Sequence, residues 1–252
     1  MKKILLLAVA SLVAFDRVGA HEHVEVGVDP HDSLRLGLSG PSSQTAVFVP
    51  RGEPWSGYLL DFPGGWHAVE LTFTTESGAL AIAEGADPYV ELISVEGPPG
   101  GQFAFWEVGA TSPTWARSSG WTASPEDTPS FPVVYFGEPH THGRAFTMDL
   151  PGQYSVSFRV VDWNARFSES REYTISFQAQ QPPALKIATS GDSIVLSFTS
   201  RHGFAYDLQQ CLDLSSGAWE TIDFRAGNGG LQSLGFSRSG LGRGFYRLVE
   251  YY

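Results

Sequence analysis

The feature that most constrains the fold of this chain is a strict alternation of apolar and polar residues over residues 153–160. A period of two with one apolar face indicates a β-strand that covers a hydrophobic core on one side only. The same pattern recurs around residues 173–177 and 194–198. The alternating apolar residues of the first stretch are Tyr154, Val156, Phe158 and Val160.

Turn-forming segments rich in glycine and proline, such as residues 63–65, 97–100 and 151–152, separate the strand-like runs. No stretch carries apolar residues at helical spacing over three turns. Short strands divided by turns are typical of antiparallel sandwiches. We therefore predict an all-β chain of two antiparallel β-sandwich domains of the immunoglobulin or fibronectin type III kind.

The division into domains follows from length and local composition. A chain of 252 residues suffices for one large or two modest domains. Residues 179–183 are polar, show no alternation and end in a proline pair, which predicts a linker. We expect a binding domain over residues 21–178 and a small β-sandwich module over residues 184–252. Within the first domain, residues 112–132 show no alternation and predict a long loop.

The first twenty residues have the pattern of a secretory signal peptide. Lys2 and Lys3 precede an apolar stretch from Ile4 to Phe15, and residues 18–20 form a small-residue cleavage site. Cleavage there would make His21 the first residue of an exported protein in the periplasm, at the cell surface or in the medium. No second apolar stretch approaches the length of a membrane span, so we predict no transmembrane segment in the mature chain.

Charge and missing motifs exclude several classes of function. The chain has 27 acidic against 16 basic residues and a net charge of −11, which disfavours nucleic-acid binding. No nucleophile elbow, zinc-protease helix or phosphate-binding loop occurs, and we predict a non-enzymatic protein. Cys211 is the single cysteine, which excludes an internal disulfide and indicates a small strand residue.

The first domain contains six segments whose order is characteristic: residues 23–27, 90–98, 103–106, 140–142, 145–147 and 151–154. Taken together, they resemble the choice-of-anchor M domain proteins, which are exported bacterial surface proteins related to the actinobacterial surface-anchored repeat. The resemblance implies a surface-type binding domain in which the histidine positions are family features. The chain departs from the family pattern in two places: Glu25 stands where Asp is usual, and Gly143-Arg144 replaces an Asn-Trp pair.

The C-terminal region resembles a short module that is common on exported bacterial proteins. Cys211 stands where serine is usual in that pattern. The resemblance implies a structural or attachment domain rather than a catalyst. Its marks are residues 206–210, residues 212–214, Trp219 and residues 244–248.

Histidines provide the clearest candidate for chemistry. His21 and His23 form one His-x-His pair, and His140 and His142 form another. In an extended segment residues i and i+2 project to the same face, so each pair can offer two imidazoles to one ion, and Glu25 adds a carboxylate beside His23. Imidazole clusters suit zinc or copper. We predict a transition-metal site from these five residues if folding brings the two pairs together.

Two alternatives stay open at this stage. The first is a metal-free adhesion or carbohydrate-binding surface protein that uses Trp106, Trp115 and Trp121 for stacking. The second is a copper-dependent oxidative enzyme in which His21 is the N-terminal ligand. For a metal-binding protein the expected partners are the ion itself and a cell-envelope component or metal transporter. His67 follows a glycine turn and is interpreted as a turn residue.

Overall fold

The computed structural model describes residues 22–29, 32–52, 61–75, 85–134, 144–237 and 244–251. Regular structure within these ranges is β-strand, apart from one 3₁₀ turn at Leu214–Ser216, so the all-β prediction is confirmed. The first seven strands are β1 Glu22–Asp29, β2 Asp32–Ser39, β3 Ser43–Val49, β4 Trp66–Val69, β5 Leu71–Thr74, β6 Pro88–Glu96 and β7 Gln102–Trp106. The next six are β8 Trp115–Ser118, β9 Trp121–Thr122, β10 Ser130–Pro132, β11 Ala145–Met148, β12 Gly152–Asp162 and β13 Tyr173–Ala179. The last six are β14 Lys186–Ser190, β15 Ser193–Thr199, β16 Ala205–Cys211, β17 Glu220–Ala226, β18 Leu231–Ser237 and β19 Phe245–Tyr251.

A large curved sheet dominates the region before residue 180. Its strand order is β10-β6-β12-β13-β3-β4-β11-β7-β8, with β9 paired to β6. The two-residue strand β9 follows β8 after a tight turn and places Trp121 opposite Val95 of β6. The backbone N–H of Gly120 also donates to the Val95 carbonyl at 2.8 Å. The sheet therefore curls back on itself and forms a nearly closed barrel.

The segment predicted as a long loop, residues 112–132, contains the short strands β8, β9 and β10. These strands have two to four residues each and extend the edges of the sheet. So short a run cannot show an alternating pattern, because alternation needs several residues to be recognised. The prediction of a loop without strands over residues 112–132 is therefore wrong where β8, β9 and β10 occur.

A second, three-stranded sheet has the order β2-β1-β5. β5 continues the chain from β4 after Glu70, so this small sheet leaves the barrel wall where β4 ends. β1 and β2 are antiparallel, whereas β1 and β5 are parallel. β13 and β3 also pair in parallel. The sheets are therefore mixed, although the sequence favoured purely antiparallel pairing.

The barrel encloses a core rich in aromatic rings. Phe146 of β11 lies at its centre and contacts the rings of six other phenylalanines, with centroid distances between 5.4 and 6.2 Å. The alternating apolar residues of β12 are wholly buried in the same core, as the pattern over residues 153–160 predicts. The six partners of Phe146 are Phe73, Phe103, Phe105, Phe131, Phe158 and Phe177.

The region after residue 185 consists of two three-stranded sheets, β14-β15-β18 and β17-β16-β19. Phe198 of β15 and Tyr206 of β16 pack against each other with centroids 5.0 Å apart. Val47 of β3 belongs to the same apolar cluster, so the two regions are in contact through one face of β3. Cys211 is buried, as expected for a small strand residue. No described strand pairs across residues 180–185, and the predicted domain bounds stay a prediction.

Candidate metal site

β1 places His23 and Glu25 on one face of the small sheet. Val24 and Val26, which alternate with them, are wholly buried in the aromatic core. Because side chains alternate along a strand, His23 and Glu25 project away from that core, and both are half-buried. We call this surface of the β2-β1-β5 sheet the outer face.

The outer face continues onto β5 as a row of threonines. In the parallel pairing, His23 lies opposite Thr72 and Glu25 lies opposite Thr74. Both threonines are buried, although they point away from the core that holds Leu71 and Phe73 on the same strand. The outer face is therefore polar but largely covered, which is an unusual environment for a carboxylate beside an imidazole.

The Glu25 carboxylate defines the chemistry of this face. Its Oε2 atom is shielded from solvent and accepts no hydrogen bond from the part of the chain that the structure describes. Buried polar atoms are nearly always hydrogen-bonded, and a buried carboxylate oxygen in particular needs a donor or a cation nearby. The position is thus suited to a positively charged group.

The remaining predicted ligands, His21, His140 and His142, lie outside the described residues. Among the residues that are described, no group of three or more histidine, cysteine, aspartate or glutamate side chains is close enough to hold a metal ion. The structure therefore places His23 and Glu25 on one face of β1, and the convergence of the two histidine pairs stays a prediction.

Arg144 is the first described residue after the second histidine pair in the sequence, and it is anchored in the barrel. Its buried guanidinium donates from Nε to both carboxylate oxygens of Glu107, at 2.6 and 3.0 Å, and from Nη1 to the Pro132 carbonyl at 2.7 Å. Arg144 leads into β11, which pairs with β4, and β4 leads into β5.

His67 is not the turn residue that its glycine-rich approach suggests. It lies within β4, is buried, and donates from Nδ1 to the Met148 carbonyl at 3.2 Å. Its ring also packs edge-on against Phe48, with centroids 5.2 Å apart. Burial lowers the pKa of His67 below its usual value, although the Met148 carbonyl opposes that change. Sequence reasoning missed this position because a single histidine in a short strand carries no sign of burial.

The three tryptophans considered for sugar stacking pack within the barrel instead. Trp106 is buried, and its Nε1 atom donates to the Thr147 hydroxyl at 2.8 Å. Trp115 stacks on Phe105 with centroids 5.2 Å apart. Trp121 donates from Nε1 to Asp127 at 3.1 Å and packs against the core. Trp106 is thus buried, Trp115 and Trp121 are half-buried, and all three rings contribute to the packing of the barrel.

No protein-family model matches this chain, and no curated protein matches it. In the described part of the chain, no helix has the length and apolar character needed to cross a membrane.

Proposed function

We propose that this chain is an exported, non-enzymatic protein that binds one transition-metal ion, zinc or copper, on the outer face. The observation that carries the proposal is the Glu25 carboxylate, whose Oε2 atom is buried without a hydrogen-bond donor among the described residues. His23 shares its face and supplies a nitrogen ligand two residues away. A cation between the two side chains would neutralise the buried carboxylate and would also be coordinated by the imidazole nitrogen.

The donor set fits a borderline metal. Zinc accepts imidazole nitrogen and carboxylate oxygen, and copper(II) prefers nitrogen-rich sets of the same kind. Both ions need four ligands or close to it, and His23 with Glu25 provide two. We assign the others to His140 and His142, with His21 as the further candidate when the chain begins at that residue.

The neighbouring hydroxyl groups support the site without binding the ion themselves. Thr72 and Thr74 lie opposite His23 and Glu25 and are buried. Groups around metal ligands commonly hydrogen-bond to them and fix their orientation. On the other side of β1, Ser39 of β2 pairs with Glu25 and places a third hydroxyl-bearing residue in the same row.

Four protein ligands would leave the ion no open position for a substrate, which favours binding over catalysis. The ion could be stored, passed to a transporter or another component of the cell envelope, or retained to join β1 to the segment before β11. Each of these roles depends on the same ligands. The resemblance to the choice-of-anchor M proteins accords with an exported binding domain and is part of the proposal.

Calorimetric titration of the metal-free chain, prepared without a histidine tag, tests the proposal directly. We expect one equivalent of Zn²⁺ or Cu²⁺ to bind, and His23→Ala and Glu25→Gln each to weaken binding at least tenfold. Glu22→Gln is the matched control, because Glu22 is an exposed neighbour on β1 with the opposite side-chain direction. Absence of binding, or equal binding by all three variants, would contradict the proposal.

A further inference from the structure

The most exposed aromatic ring among the described residues is Trp163, directly after β12, with 59% of its surface accessible. It stacks on Tyr89 of β6 with ring centroids 3.6 Å apart and planes within 2° of each other. One face of the indole is therefore covered by Tyr89, and the opposite face is turned to solvent. The pair forms a flat aromatic surface that contributes nothing to the core, and we call it the Trp163 platform.

The turn that carries the platform is firmly held. The Asp162 carboxylate accepts four backbone hydrogen bonds, which keep its pKa below the usual value although burial opposes this. Trp163 itself donates its backbone N–H to the Asp87 carbonyl at 3.0 Å. Ala165 has a φ of +53°, a left-handed conformation that costs energy in a residue other than glycine. The donors to Asp162 are Asp87 and Asn164 on Oδ1, at 2.8 and 3.0 Å, and Arg166 and Phe167 on Oδ2, at 2.8 and 3.1 Å.

An open cleft of about 400 Å³ is lined by residues that flank Trp163 in the chain, among them Asp162 and Ala165. Val161 lines the cleft and is the cross-strand partner of Tyr89, and this pairing connects the cleft to the aromatic stack. Ser168 and Glu169 add a hydroxyl and a carboxylate to the lining. Glu169 is held by an ion pair with Arg159 at 3.0 Å. The site thus combines a flat apolar surface with hydrogen-bonding groups in a volume that suits a small ligand.

We propose that the Trp163 platform and its cleft bind a pyranose sugar ring. The axial C–H groups of a pyranose form a flat apolar surface that stacks on an indole face, while its hydroxyls need acceptors and donors at the ring edge. Ser168 and Glu169, which line the cleft, offer a hydroxyl and a carboxylate to such groups. This site is separate in composition from the metal site and does not depend on it.

Other ligand classes fit the same surface less well. Organic cations are bound by cages of several aromatic faces, and here a single face is open. Nucleic acid would require clustered basic residues, whereas the chain has a net charge of −11. The polar groups in the cleft also disfavour an apolar peptide, because their hydration would be lost without replacement.

Binding of the purified chain to an array of immobilised neutral, N-acetylated and uronic-acid oligosaccharides tests the proposal. We expect at least one class to be retained, and Trp163→Ala to weaken its binding at least tenfold, with Trp163→Phe intermediate. Phe224→Ala is the matched control, since Phe224 is another exposed aromatic residue, 50% accessible, on β17.

Failure of every oligosaccharide to bind would overturn the sugar site, as would binding that Trp163→Ala leaves unchanged. His23→Ala should leave sugar binding intact, which separates this test from that of the metal site. Thermal unfolding of each variant shows whether the fold is retained, and Trp163→Phe keeps an aromatic ring on Tyr89 if the alanine variant does not fold.

Discussion

The regions on either side of residues 180–185 bury apolar surface in different ways. Before Ala179, the barrel encloses many aromatic side chains, and Phe146 contacts the rings of six other phenylalanines. After Lys186, the apolar cluster around Tyr206 is small and takes in Val47 from β3 of the first region. The second region also leaves several large apolar side chains exposed. They are Ile187, Leu212, Leu214, Phe224 and Leu231.

This difference indicates how each region is stabilised. A barrel of the first region's size can bury enough apolar surface to fold without a neighbouring domain. The second region has fewer than seventy residues and draws on a neighbour to complete its core, which is common when a small sandwich lacks disulfides or metals. We therefore expect the second region to depend on contacts with the first more than the reverse.

The largest effect should come from truncating the centre of the aromatic core. Phe146→Ala removes a wholly buried ring and leaves a cavity among six others, and we expect the free energy of unfolding to fall by about 3–5 kcal/mol. Denaturant unfolding followed by near-ultraviolet circular dichroism measures this loss. Phe224→Ala, at an exposed position, should change stability by less than about 0.5 kcal/mol. Equal effects of the two substitutions would refute the contrast between the regions.

An intermediate effect should follow from the contact between the regions. Arg201 bonds to Gln180 and Gln181 before β14 and to the buried Glu250 carboxylate at 3.0 Å, which also accepts from the Tyr206 hydroxyl at 2.7 Å. Burial raises the pKa of Glu250, and the Tyr206 and Arg201 donors oppose that rise.

Arg201→Ala should cost about 2 kcal/mol, because it leaves a buried carboxylate with one donor fewer. Calorimetry should show the second region melting earlier and separately from the barrel. Arg225→Ala serves as the control, since Arg225 pairs with Asp223 at the surface and should be worth at most about 1 kcal/mol. A single melting transition at an unchanged temperature would show that Arg201 does not connect the regions.

A smaller effect is expected from acidification of the barrel. The pKa of His67 is lowered in the folded chain by burial, so protonation favours the unfolded chain. The contribution of neutral His67 to the free energy of unfolding is therefore fully present above the pKa of histidine in the unfolded chain, near 6.5. It decreases as the pH drops below that value, by up to about 1.4 kcal/mol per pH unit.

His67→Asn keeps a donor near the Met148 carbonyl and removes the titrating ring. Unfolding measured at pH 7.5 and pH 5.5 should therefore show a smaller loss of stability in this variant than in the unmodified chain. The same loss in both proteins would mean that other groups cause the pH dependence.

The strands that the sequence predicts well are the two longest of the described strands, in which apolar residues recur along the run. The pattern over residues 153–160 predicts β12, observed as Gly152–Asp162, and the run over residues 90–95 predicts β6, observed as Pro88–Glu96. In both, one face contacts the core, so local pattern and burial agree.

The sequence pattern could not predict which strands pair with each other, nor the short strands at the sheet edges. Nothing local in β1 indicates that it lies parallel to β5, about fifty residues later, and this pairing creates the outer face. The stack of Trp163 on Tyr89 likewise joins distant residues. For the metal site, the sequence predicted that His23 and Glu25 share a face, which β1 exhibits, whereas the second histidine pair stays a prediction.

The most direct test of the metal site is the metal content of the chain as cells export it, measured by elemental analysis without a tag or added metal. We expect close to one zinc or copper ion per chain, and a loss of most of that metal when His140 and His142 are both replaced by alanine. A metal-free native protein, or a double variant with undiminished metal, would contradict the proposed site.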